Sequence, residues 1–277
     1  MKLGVIGATL GHTASPAIHE KLFRLLGVAG KHEYGVLEMD RDHIPTELER
    51  LQREGYTGAN VTIPYKLEVM PYLTDISREA RIIGAVNTLH FTTDGIFGYN
   101  TDYGGFGRSL THAFIDISKK DCYVLGTGGA ARAITQYLAD NGAATITAIS
   151  RSPHEKATFE DFANRLGISI MGYDEFERLS SGDVLINCTP VGMFPHNDGC
   201  PLSEKRISTF PAVVDIIYNP KDTKLLQLAH QHGARTLNGM YMLVAQAIGS
   251  EEIWMGQPIS SDILTTIAKE MEHYYEQ

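Results

Sequence analysis

Cysteine is scarce: the 277 residues contain three, Cys122, Cys188 and Cys200. An odd number at these spacings makes neither a disulfide framework nor a zinc knuckle, and a reducing compartment is the simpler setting. Positive charge is also in deficit. Lys plus Arg number 24 against 33 Asp plus Glu, a formal net charge of −9, the reverse of the basic footprint a nucleic-acid binder carries. No stretch approaches the ~20 apolar residues of a membrane span. The opening MKLGVIGATLGH runs into glycine and histidine before a secretory apolar core could form. Repeats, low-complexity segments and long charge runs are missing too. What these gaps leave is a cytoplasmic globular chain with no metal site, no nucleic-acid partner and no membrane contact, long enough for about two domains.

Short β-rich runs alternate with helical patterns. Lys2–Ile6, Tyr34–Leu37 and Gly58–Ile63 read as strands. Between them Pro16–Leu26 and Ile44–Glu54 carry apolar residues at helical spacing, with Ser15 before Pro16 as the expected N-cap. Such alternation predicts a mainly parallel sheet covered on both faces. A second series begins near Asp121: strands at DCYVL, ATITAIS, DVLINCT and AVVDIIY, with a helix over Ala130–Asn141. Two further helices, one largely apolar after Gly239 and one acidic, close the chain. The organisation expected is an αβ substrate domain over 1–105, with 240–277 packing back on it, and a nucleotide domain over 106–239.

The second series holds the more specific local motif. Gly126-Thr127-Gly128-Gly129-Ala130-Ala131 joins a strand to a helix and fits G-x-G-x-x-A. Gly126 suits a tight turn, Gly128 a close backbone approach and Ala131 helix–strand packing, while the helix N-terminus offers free N–H groups to a pyrophosphate. This predicts a Rossmann-type dinucleotide domain. An NAD site would place an acid about 20 residues beyond the glycines. Here the next strand ends in Ser150-Arg151-Ser152, a guanidinium and two hydroxyls suited to a 2′-phosphate. The cofactor expected is NADP.

In the first series, polar side chains cluster at strand ends: HTASP, GANVTIPYK, GAVNT and GYNTD. Ligands of open α/β sheets bind beyond the carboxyl ends of strands, so these segments are expected to meet in one crevice. Taken with GTGGAAR, NCTPVGM, DIIYNP and GMYMLVAQA, in this order over nearly the whole chain, they give a sequence that resembles the shikimate dehydrogenase family. The resemblance implies an NADP-dependent oxidoreductase of the shikimate pathway, which serves chorismate and aromatic amino-acid biosynthesis. It would reduce 3-dehydroshikimate to shikimate reversibly in a cleft between domains, as a monomer or homodimer. It implies Lys66 and Asp102 as the catalytic pair. Substrate contacts would come from Thr13, Ser15, Thr62, Asn87, Tyr218 and Gln246. Thr189, Ile216 and Gly239 would lie beside the cofactor with the turn from Gly126 to Ala130.

Two departures from the family pattern stand out. Thr13 occupies a position that is usually serine, and the usual second base for the 2′-phosphate is Glu155, with Lys156 one residue later. The alternatives left open are a quinate/shikimate dehydrogenase with NAD preference and a non-catalytic shikimate-binding regulator. Chemically, ketone reduction needs a proton for the new alkoxide, and a lysine ammonium can stabilise that charge and donate. Oxidation needs the neutral amine, so it should improve as pH rises. No arginine falls in the HTASP or NVTIPYK segments, so neutral hydroxyls would hold the substrate carboxylate, with weaker bonds than a guanidinium gives.

Overall fold

The computed structural model describes every residue except 12, 154–156 and 275–277. His12, Glu155 and Lys156 therefore lie outside the described residues. The chain divides into two units: Met1–Gly104 with Val244–Met271, and Gly105–Leu243 with the chain end from Glu272.

The first unit begins β1 (Lys2–Gly7), α1 (Ser15–Leu25), β2 (Glu33–Glu38), α2 (Ile44–Arg53) and β3 (Gly58–Val61). β4 (Asp75–Ile76), α3 (Arg78–Ile83), β5 (Thr88–Thr92) and β6 (Gly95–Tyr99) follow. The helices form where one apolar stripe can be buried: Ile18, Leu22 and Phe23 on α1, and Ile44, Leu48 and Leu51 on α2. The six-stranded sheet runs β2-β1-β3-β5-β6-β4. β1 is parallel to β2 and β3, whereas β5 is antiparallel to both β3 and β6. The expected mainly parallel sheet thus holds for only part of this unit. The reason is the Thr93-Asp94 link between β5 and β6, too short for a crossover and closed by Thr92, whose hydroxyl donates to the Gly95 carbonyl and accepts from the Asp94 amide.

After α4 (Asp102–His112), the second unit contains β7 (Asp121–Leu125), α5 (Gly129–Asp140), β8 (Thr145–Ser150), α6 (Ala157–Leu166), β9 (Ser169–Gly172) and α7 (Tyr173–Phe176). It continues through β10 (Val184–Asn187), α8 (Glu204–Ile207), β11 (Ala212–Asp215), α9 (Lys224–Gln231) and β12 (Arg235–Leu237). The sheet is parallel throughout in the order β12-β11-β10-β7-β8-β9. Strand order reverses between β7 and β10, the switch point of a doubly wound fold, where the carboxyl ends of the strands open a crevice. Val124, Ile186 and Val214 from its strands pack with Ile134 and Leu138 of α5.

The chain ends with α10 (Met240–Met255) and α11 (Ser261–Glu272). Within the first unit, α10 is pinned by the Trp254 indole, which donates to the Leu89 carbonyl at 2.8 Å. No described helix is long and apolar enough to cross a membrane.

Candidate active site

In the first unit, β3 gives way to a turn that delivers Lys66, and α4 opens on Asp102. Lys66 Nζ donates to Asp102 Oδ2 at 2.5 Å, with the two side chains only 14% and 7% exposed. The carboxylate sits in the first turn of α4, where the helix dipole favours negative charge. Its other oxygen accepts from Asn87 Nδ2 at 2.9 Å. The orientation of that amide is fixed, because Asn87 Oδ1 accepts from the Thr101 backbone N–H at 2.8 Å and a backbone N–H can only donate. Gln246 Oε1 lies 3.5 Å from the same Asn87 nitrogen. Lys66, Asp102, Asn87 and Gln246 are therefore one assembly. An ammonium held on an ionised partner in this way can deliver a proton to an oxygen placed beside it.

Thr13 and Ser15 form a second pair. The Thr13 hydroxyl donates to Ser15 Oγ and accepts from the Ser15 amide, both at 3.3 Å. Ser15 is not the N-cap expected of it. Ala14 occupies that position, no side chain caps α1, and Pro16 falls one residue deeper. The Ser15 hydroxyl is thereby released from a capping role. Thr62 follows the carboxyl end of β3, its amide bonded to the Ile6 carbonyl at 2.9 Å. Tyr65, beside Lys66, is buried and donates to the Met39 carbonyl at 2.6 Å, a packing role. His19 is also internal: it pairs with Glu251 at 2.7 Å, both side chains fully buried.

The second unit carries the glycine turn. Gly126 has φ +104°, and a Cβ there would sit 3.3 Å from the Cys188 carbonyl oxygen at the end of the neighbouring strand. Gly128 precedes α5 with nothing within 4 Å of a built Cβ and no side-chain cap on the helix. The backbone at Gly128 is therefore open to close approach, and glycine there offers no side chain to cap the first-turn N–H groups, both of which suit an anion site. Thr127 is half-buried between the two glycines. Ala131 is fully buried, as its packing role predicts. At the end of β8, Ser150 is buried, its hydroxyl accepting from the Ser152 amide at 3.2 Å, and Arg151 just beyond it is exposed. Burial pushes the Tyr173 phenol up, and the Arg151 charge partly offsets that rise.

At the ends of β10 and β11 a buried network places the remaining nucleotide-side residues. Asn187 Oδ1 accepts from the Thr189 amide and hydroxyl at 3.0 and 2.7 Å, and Asn187 Nδ2 donates to Asp215 Oδ1 at 3.0 Å. Asp215 also accepts from the Ile217 amide and the Thr223 hydroxyl. Burial raises its carboxyl to about 6 against these three donors. Gly239 packs so closely that a Cβ would fall 1.9 Å from the Ile216 carbonyl oxygen, so Ile216 and Gly239 are neighbours. Tyr218 follows on the same loop, half-buried. Among the described residues no group of three His, Cys, Asp or Glu side chains could hold a metal ion.

Sequence reasoning gave no individual role to Ser250, Asn187 and Asp215, and carried Thr88 and Thr101 only as hydroxyls within the GAVNT and GYNTD segments expected at the crevice. For Ser250 a signal existed, since it falls one helical turn beyond Gln246 and so on the same face of α10.

A family model described as the shikimate dehydrogenase substrate binding domain matches residues 5–89. The shikimate dehydrogenase (NADP(+)) of Clostridium perfringens strain 13 is 43% identical over 275 residues, 98% of this chain and 99% of its own. Among solved structures, a chorismate mutase/shikimate 5-dehydrogenase fusion protein from Clostridium acetobutylicum matches with a TM-score of 0.94 at 42% identity, covering 100% of this chain and 98% of the other. The shikimate 5-dehydrogenase of Thermus thermophilus, crystallised with NADP(H) and shikimate, matches with a TM-score of 0.86 at 28% identity, covering 98% and 99%.

Proposed function

The chain belongs to the shikimate dehydrogenase family, and from that premise we propose that it reduces 3-dehydroshikimate to shikimate reversibly with NADPH. The observation that carries the reading is the Lys66 ammonium held 2.5 Å from the Asp102 carboxylate, with Asn87 on the other carboxylate oxygen. Lys66 is the proton donor to the alkoxide in reduction and the acceptor in oxidation. Asp102 orients that amine and binds a substrate hydroxyl. Bound NADPH supplies the hydride.

The donor set suits that cofactor. The uncapped start of α5, open at Gly128, takes the pyrophosphate, and Arg151 with Ser150 and Ser152 takes the 2′-phosphate where an NAD site would present an acid. Thr189, Ile216 and Gly239 complete the cofactor side. Thr13 and Ser15 offer hydroxyls to the substrate carboxylate, and Thr62, Asn87 and Gln246 offer polar atoms to its ring hydroxyls. Tyr218 as a substrate contact is supported by the family resemblance alone. The domain assignment is residues 1–105 with 240–277 for substrate and 106–239 for NADP; the observed breaks fall after Gly104, Leu243 and Met271, the last of which groups the chain end with the second unit. The net charge of −9 supports the absence of nucleic-acid partners, and a cytoplasmic monomer or homodimer rests on the family resemblance.

The test is a grid of steady-state rates on shikimate and quinate, each with NADP+ and NAD+, read by reduced-nicotinamide absorbance. The reading expects shikimate with NADP+ to give the highest kcat/KM. Preference for quinate or NAD+ would favour the quinate/shikimate alternative, and no turnover in any cell would reject the enzyme reading.

A further inference from the structure

Behind the Lys66–Asp102 pair lies a run of buried polar side chains with no role in the account so far. The Thr88 hydroxyl donates to Asn87 Oδ1 at 3.0 Å, and the Asn87 amide donates in turn to Asp102 Oδ1. A hydroxyl has a single proton. With that proton committed to Asn87, Thr88 accepts from Ser250 Oγ, 2.8 Å away. Ser250 itself accepts from Asn60 Nδ2 at 2.8 Å, and Asn60 Oδ1 accepts from the Tyr34 phenol at 2.7 Å. The Gln246 carbonyl at 3.1 Å and Thr101 Oγ1 at 3.3 Å are the longer alternatives for the Ser250 proton, and Thr101 Oγ1 also lies 3.3 Å from Thr88 Oγ1.

Every donor in this series therefore points the same way, from phenol to carboxylate. Asn60, Asn87, Thr88, Ser250 and Asp102 are all buried. The far end is anchored as well. The Tyr34 ring lies flat on His19, centroids 3.8 Å apart and planes within 10°, and His19 is held by Glu251. Aligned hydrogen bonds polarise one another at low dielectric, and donors converging on a carboxylate favour its charged form. Two members are amides, which pass no proton at ordinary pH, so the series is an electrostatic strut and not a proton wire.

We propose that Tyr34, Asn60, Ser250 and Thr88 act as positioning residues, a one-way hydrogen-bond chain that holds Asn87 against Asp102 and so keeps the carboxylate aimed at Lys66 during proton transfer. The proposal rests on the reading of Lys66–Asp102 as the proton-transfer pair. Burial pushes the Tyr34 phenol well above its usual range, which keeps it protonated as the first donor.

Ser250→Ala and Tyr34→Phe test it, each made in the wild-type and in the Asp102→Asn background. Tyr34→Phe keeps the ring on His19 and serves alone if Ser250→Ala does not fold. In the wild-type background each is expected to lower kcat for shikimate oxidation about three- to tenfold, the worth of one hydrogen bond, with both KM values within about twofold. In the Asp102→Asn background neither should lower it further. An equal fall in both backgrounds, or no fall in the first, would overturn the chain. A readout independent of turnover is the Asn87 side-chain amide signal in nitrogen–proton NMR spectra, expected to move in both variants. An unmoved signal also overturns the proposal. A wild-type protein inactive on shikimate would instead reject the functional reading, leaving the NMR comparison to decide the chain.

Discussion

Replacing Asp215 with asparagine should change how stability depends on pH, and the size of the change follows from where the carboxyl sits. Asp215 is fully buried at the end of β11, and its three partners, Asn187, the Ile217 amide and Thr223, are all neutral donors. Burial outweighs their help and raises its pKa from 3.8 to about 6. The folded chain therefore holds this proton up to about pH 6, whereas the unfolded chain releases it near 3.8. Between those values the native state binds more protons, so the contribution is full below pH 3.8 and is lost as pH rises through about 6. At about 1.4 kcal/mol per pH unit the loss comes to about 3 kcal/mol.

The substituted carboxamide cannot titrate, so the variant lacks this loss. Urea unfolding of wild-type and Asp215→Asn proteins at steps from about pH 4 to pH 7 should show the variant gaining about 2 kcal/mol relative to wild type, since part of the loss is already complete at pH 4. Other carboxyls titrate alike in both proteins and cancel in the difference. Any fixed cost of exchanging an acceptor for an amide group is independent of pH and does not enter. A wild-type-minus-variant difference that stays flat within about 0.5 kcal/mol would refute the reasoning, given the usual scatter of such extrapolations.

Ser15→Ala should raise KM for shikimate more than it lowers kcat, because the hydroxyl caps no helix and is proposed to bind the substrate carboxylate; steady-state kinetics at saturating NADP+ reads the split, and a pure kcat effect would contradict it. Arg151→Gln should raise KM for NADP+ about tenfold, the lower end for a charge-assisted bond at an exposed site, and leave KM for NAD+ unchanged. Equal effects on both cofactors would remove Arg151 from the 2′-phosphate site.

How much of this is legible in the sequence depends on sequence distance. Four of the six strands of the second unit, the turn at Gly126 and the buried Ala131 are readable because a parallel strand–turn–helix is encoded within a dozen consecutive residues, whereas β9 and β12 escape the reading. The β5–β6 hairpin escapes the sequence reading although Asp94-Gly95 is a turn signal, because its neighbours also fit a parallel alternation. Ser15 reads as a cap because Ser-Pro is a common helix start; the helix takes it in as its first residue and leaves Ala14 outside. The chain from Tyr34 to Asp102 is invisible for another reason. Its links join Asn60 and Thr88 to Ser250, residues separated by 190 and 162 positions, and no local pattern reports which polar groups a tertiary fold will bury together.

The assignment of Lys66 as proton donor is tested most directly by the steady-state parameters of Lys66→Met with shikimate and NADP+. The account predicts a kcat at least about 10²-fold below wild type, the scale of a general acid–base group, with KM values changed far less. A kcat equal to that of the wild-type protein would contradict it.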